Sequence, residues 1–337
     1  MAQAAPQQKN ASFQYGGQAV IEGVMMRGPE TLAVAVRRRD GSILVERQPV
    51  PAWPRCHPLL QWPLVRGTVV LLESVVVGIR MLTYSASVAA EEEGEELSRG
   101  EIVLSLFLGL SLGIFFFVVL PALFGQWSVG YLGSLGQNIL EGVLRLGLFL
   151  GYLWIVSRLA EIRRLFAYHG AEHKVIHAWE AEAALEAEAA ARFSRLHPRC
   201  GTSFLLLVFV LAVLLYSLFD TPGLAARIAT RVGLLPVLAG ISYELLKWSG
   251  RHTASALVRC LIAPGLWLQR LTTREPDKGQ LEVAVAALTA VLVATIPAEE
   301  RPDLEGLAPV RQPSSGGAGS GPPGGPGGVP AGGTAQR

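Results

Sequence analysis

Cysteine is scarce in this chain and charge is nearly balanced, and each shortage excludes a class of function. Of 337 residues only three are cysteine, Cys56, Cys200 and Cys260, with no CxxC pair and no even-numbered set. A disulfide framework is therefore not expected, which suits sites facing a reducing compartment. Charged residues make up 17% and the formal net charge is +2, so the strongly basic footprint of a nucleic-acid binder is missing. No nucleic acid is expected as a partner. The polar stretch 1–10 lacks the apolar core of a signal peptide.

What the chain does have is apolar length. Half of its residues are hydrophobic and mean hydropathy is +0.38, a membrane-protein balance. Runs at 102–124, 138–159, 203–219 and 228–248 approach the roughly 20 residues that span a bilayer. Residues 66–90 are punctuated by Arg66, Glu73 and Arg80, which predicts an amphipathic helix on the membrane or against other helices. Glu141 and Arg145 are placed to pair at i, i+4. Residues 125–137 hold no Lys or Arg, whereas 158–199 hold many. The positive-inside rule then puts both termini in the cytoplasm of a multi-pass cell-membrane protein, with Arg227 and Arg231 in the loop between the third and fourth spans as a mild dissent.

The fold class expected is mainly α, a polytopic helical membrane protein of about four transmembrane helices, with a small N-terminal cytosolic β element. Residues 1–12 form a disordered lead, and 13–65 carry a Gly-rich motif followed by a β-hairpin turning at Asp40-Gly41. An amphipathic helix and acidic linker fill 66–100, and the four-span region with its cytosolic His-rich loop fills 101–250. Interfacial and cytosolic helices occupy 251–297, and 298–337 is Gly/Pro-rich disorder. In the Gly-rich motif, glycines permit close backbone approach, and Glu22 is a minor site candidate.

Chemistry concentrates at residues 168–180, YHGAEHKVIHAWE, which hold three of the six histidines. On a helix turning about 100° per residue, His169 and His173 stand one above the other with Glu172 beside them. Two imidazoles at i and i+4 can reach one Zn²⁺, and a carboxylate just before the second can polarise its bound water, the H-x-x-E-H pattern. His173, His177 and Glu180 make a competing chelate. His169 and Glu180 lie roughly 16 Å apart along an unbroken helix, so only one triad serves one ion. The plain alternative is a hydrated helix face at a membrane surface.

The expected topology brings residues 197–201, HPRCG, and the end of the fourth span to the same interface. His197, Cys200 or Glu244 is then the third ligand to a divalent metal, expected to be zinc, with Glu172 as general base. Arg199 is placed to lower the Cys200 pKa.

In GGQAVIEGVMMRGP (16–29), RGTVVLLES (66–74), YHGAEHKVI (168–176), HPRCGTSF (197–204), LTTREP (271–276) and QLEVA (280–284), the chain resembles the YqhQ-like bacterial membrane proteins. That family has no known function and is often labelled a predicted metal-dependent enzyme. The resemblance covers roughly residues 15–288 and implies no substrate. The functional expectation is a metal-dependent hydrolase at the inner membrane interface, acting on a peptide or lipid-linked substrate. The alternative is a non-enzymatic scaffold or assembly factor with structural histidines and a membrane-protein partner. A transporter ranks third.

Overall fold

The computed structural model describes residues 13, 15–51, 57–91, 98–219, 223–252, 255–294 and 310–311. The expected lead at 1–12, Cys56, most of the acidic cluster after Glu91 and nearly all of the Gly/Pro-rich tail lie outside the described residues. Four strands, β1 Gly16–Val20, β2 Gly23–Arg27, β3 Thr31–Arg37 and β4 Ile43–Pro49, form an antiparallel meander. Val310–Arg311 adds a short parallel bridge to β4. The hairpin turn has Gly41 at φ +86°, a left-handed conformation that favours glycine.

Helices cover both faces of this sheet. Val20, Met25, Leu32, Val34, Val36 and Leu44 pack on Val77, Met81 and Val88 of α1, Pro63–Glu91. The opposite face, with Val24, Met26, Ala33, Ala35 and Val45, packs on α5, Ala160–Glu180, and α11, Lys278–Ala294. A strand buried on both sides has no polar face to show, and this explains the nearly unbroken apolar run in β3. Asp277 and Gln280 cap α11 reciprocally, each side chain accepting from the other's backbone N–H.

Among the described residues, four helices are long and apolar enough to cross a membrane: Pro63–Glu91, Gly100–Gly130, Ser134–Val156 and Leu224–Ser249. The chain is thus a polytopic helical membrane protein with a small β element. The number matches expectation, but the membership does not. The run at 203–219 becomes α7, Gly201–Tyr216, a shorter apolar helix. The segment expected to be an amphipathic helix, on the membrane or against other helices, is α1, which packs on the sheet and on Gly240 and is also long and apolar enough to be a candidate span. Its polar residues are compatible with apolar surroundings because Arg66 pairs with Glu244, and the fully buried Glu73 pairs with Arg27 of β2. Residues 256–272 form α10, Ala256–Thr272, outside the candidate spans and packed on Phe149, Leu153 and Phe209 through Leu268 and Leu271.

The second candidate span runs from α2, Arg99–Ile114, through a π-helical turn, Phe115–Val119, into α3, Leu120–Trp127. On α4, Ser134–Val156, the expected pairing of Glu141 with Arg145 does not form. Arg145 Nε donates to Phe117 O at 2.7 Å, meeting a carbonyl in the π turn. Glu141 binds Arg227 and Arg231 of α8, Leu224–Gly233. Those arginines are therefore buried ion-pair partners, not loop charges, and they lose their value as topology markers.

Helix α1 crosses α9, Leu235–Arg251, at a contact between Gly67 and Gly240. A Cβ on Gly67 would sit 2.9 Å from Gly240 Cα, and one on Gly240 would strike Leu64 O. Small residues allow such close approach of backbones. Gly240→Ala is expected to cost about 1–3 kcal/mol by overpacking, read as a lower melting temperature in detergent. An unchanged melting temperature would show that the contact is slack.

Candidate metal centre

The site grows out of the last three turns of α5. Tyr168, Ala171, Val175 and Ala178 enter the sheet-facing core, which turns His169, Glu172 and His173 toward the start of α7 and the segment after α10. Each imidazole is oriented by a backbone carbonyl. His169 Nδ1 lies 2.8 Å from Thr272 O, and His173 Nδ1 lies 2.6 Å from Arg195 O. A carbonyl accepts only, so the proton sits on Nδ1 and the lone pair on Nε2. His169 Nε2 is 3.3 Å from Cys200 Sγ. Candidate donor atoms of His169, His173 and Cys200 all lie within 4.8 Å of one another.

The sulfur is held as firmly as the rings. Cys200 caps α7, its Sγ accepting from Thr202 N at 3.5 Å and lying 3.2 Å from Thr202 Oγ1. Burial lowers the His173 pKa, an effect partly opposed by its hydrogen bond with Cys200. The ring is thereby kept in the neutral form that binds metals.

Glu172 is 5% exposed and lines the same cavity, of about 110 Å³, with Gly16, Gly17, His169, His173 and Cys200. Burial raises its pKa, while His169, His197 and the Gly17 N–H oppose the shift. A Cβ on Gly17 would come within 3.2 Å of the Glu172 carboxyl carbon. The first glycines of the Gly-rich motif thus admit the carboxylate to the backbone of β1. Typical ligand pockets span roughly 300–1,000 Å³, so this one accommodates an ion and the reacting end of a substrate.

A second group stands beside the first. Candidate donor atoms of His177, Glu180 and His197 also lie within 4.8 Å of one another. His197 is pinned twice by Gln269, which accepts from its N–H at 2.8 Å and donates to its carbonyl at 2.7 Å. Burial lowers the pKa of both His177 and His197. The competing chelate expected within α5 is thereby divided, because His173 faces Cys200 while His177 and Glu180 face His197.

Glu244, expected as a possible third ligand, is elsewhere. Arg66 holds it at 2.6 Å, on the contact between α1 and α9. The expected convergence of three helix ends is thus reduced to α5 and the start of α7, joined by the segment after α10. Glu22, at φ 52°, binds Arg164 and the Tyr168 hydroxyl and so ties the β1–β2 turn to α5. Burial, followed by the Glu22 charge, pushes the Tyr168 pKa up.

Sequence reasoning missed the brace. In residues 272–276, Thr272 O orients His169, Thr273 accepts from Arg195, Arg274 N donates to Phe166 O, and Glu275 pairs with the buried Lys174. Its sequence signal was the LTTREP motif, which carries no ligand-type histidine or cysteine and so was assigned no role in the site.

Comparison with known proteins places these residues within a recognised sequence group. A family model described as a protein of unknown function, DUF1385, matches residues 62–294. The chain is 35% identical over 292 residues to an uncharacterised protein, YqhQ, of Bacillus subtilis, covering 82% of this chain and 92% of that one. No solved structure matches.

The brace can be tested at Gly170, where a Cβ would strike Arg274 O. Gly170→Ala is expected to lift residues 272–275 from α5 and speed amide exchange of the Arg274 N–H about tenfold or more, as loss of about 1.4 kcal/mol of local stability implies. Unchanged exchange would mean that the contact does not hold the segment.

Proposed function

The chain belongs to the DUF1385 family of unknown function, and we propose that it is a membrane-embedded, metal-dependent hydrolase. The observation that carries this reading is the convergence of His169, His173 and Cys200, with both Nδ1–H groups committed to carbonyls. Histidine nitrogen and cysteine sulfur are the donor types of catalytic zinc sites, which hold the ion by three protein ligands, and oriented imidazoles are the usual support of a bound ion. Three donors gathered among the described residues, with Glu172 beside them, suit a catalytic site, which takes three protein ligands and an open position. A divalent ion, zinc by donor type, would supply Lewis acidity and lower the pKa of a coordinated water.

The chain's own part is positioning and proton transfer. Thr272 and Arg195 carbonyls hold the imidazoles, and Thr202 fixes the Cys200 sulfur. Glu172 takes a proton as general base, and its burial moves its pKa toward neutrality, where such a group works best. The cavity restricts bulk water around this carboxylate. The site lies at the N-terminus of the apolar α7 and the C-terminal end of α10, so a peptide or lipid-linked substrate can reach it laterally. The Lys/Arg-rich stretch around α5 supports a cytoplasmic placement in the cell membrane.

The full-length protein in detergent is expected to hold stoichiometric metal that a folded His169→Ala/His173→Ala variant loses, measured by elemental analysis. Glu172→Gln is expected to keep that metal and lower function in a complementing strain about 100-fold or more. A parent without metal, or a folded His169→Ala/His173→Ala variant that keeps it, would remove the metal site, and full function of Glu172→Gln would remove the base.

A further inference from the structure

The cavity beside His173 leads to His197, whose ring is 5.6 Å from that of His173 and 4.6 Å from that of His177. His197 is 4% exposed, and its Nε2 is buried without a hydrogen-bond partner. Glu180 Oε2 lies 3.6 Å from it. The other oxygen of that carboxylate is occupied by Arg199. His177 Nε2 lies 3.0 Å from Leu196 O, so it carries the proton and leaves the Nδ1 lone pair free.

We infer that His177 Nδ1, Glu180 Oε2 and His197 Nε2 form a second divalent-cation site, making the pocket a two-cation centre. This deepens the proposed function, because His197 also lines the cavity of the first site, yet the second site stands on its own donors. Every donor has a support. Leu196 orients His177, Arg199 clamps Glu180, and Gln269 fixes the His197 backbone. These supports resemble the outer hydrogen bonds that orient metal ligands. Binding requires His197 to carry its remaining proton on Nδ1, which exchanges away the long 3.3 Å contact donated by Arg199 N–H.

The two donor sets differ in hardness. His169, His173 and Cys200 offer a thiolate and suit a softer ion, whereas two imidazoles and one carboxylate accept zinc, cobalt, nickel or manganese. The second site is also the more open, with the Glu180 side chain 36% exposed against a buried Cys200. Its cation is therefore the exchangeable one, removed first by a chelator.

Cobalt(II) titration of the full-length protein in detergent tests this. The parent is expected to take two equivalents, only one of them giving sulfur-to-cobalt charge-transfer absorption. His177→Ala and Glu180→Gln are each expected to lose one equivalent and keep that absorption. Cys200→Ser is expected to lose the absorption and keep the second equivalent. Folding is monitored by helical circular dichroism and by elution as a single species. A folded parent that takes one equivalent, or a His177→Ala protein that still takes two, would overturn the second site. Absence of the charge-transfer signal in the parent would instead overturn the first site, so the two readings fail separately.

Discussion

The structure depends on how two imidazoles on one helix face, His173 buried and His169 half-buried, are satisfied. An imidazole removed from water must place its N–H on an acceptor or lose a hydrogen bond it had in solvent. His169 and His173 do so on the carbonyls of Thr272 and Arg195. Those carbonyls are remote in the chain, one at the C-terminal end of α10 and one preceding α7. Satisfying the rings therefore draws three parts of the chain together and leaves both Nε2 atoms facing Cys200.

Charge follows the same logic around this centre. Lys174 and Arg195 lie among the ligands' neighbours, and Glu275 faces both. A buried ammonium left alone would cost several kcal/mol, so this contact makes the 272–276 segment part of the site. At the other end of α4, Glu141 offsets Arg227 and Arg231 among helices, while Gly125 leaves room for the pair. The apolar helices thus keep their few charges by internal pairing. The helices packed on the sheet use theirs to brace the segment that orients His169.

The sheet has an indirect part in that pocket. Covered on one side by α1 and on the other by α5 and α11, it presents the N-terminal end of β1 to α5. Gly17 meets Glu172 there, so a glycine-rich strand determines how closely a buried carboxylate can approach a backbone N–H. The same three-layer packing is why α11 is apolar nearly all round.

Local pattern alone determined the helical membrane class, the β-hairpin, and the pairing of His169 with His173 on one helix face, because periodicity and turn chemistry act over a few residues. The choice among His197, Cys200 and Glu244 was left to tertiary contacts, since residues far apart in sequence meet only when helices pack. Glu244 went to Arg66, Cys200 to His169, and His197 to the neighbourhood of His177 and Glu180. The partners of Arg66 and Glu73 were likewise out of reach of local pattern: Glu244 and Arg27 pair with them only in the fold. The bracing role of Thr272 and Arg195 was invisible in sequence for a simpler reason. It resides in backbone carbonyls, which every residue carries, and only the fold decides which of them faces a histidine.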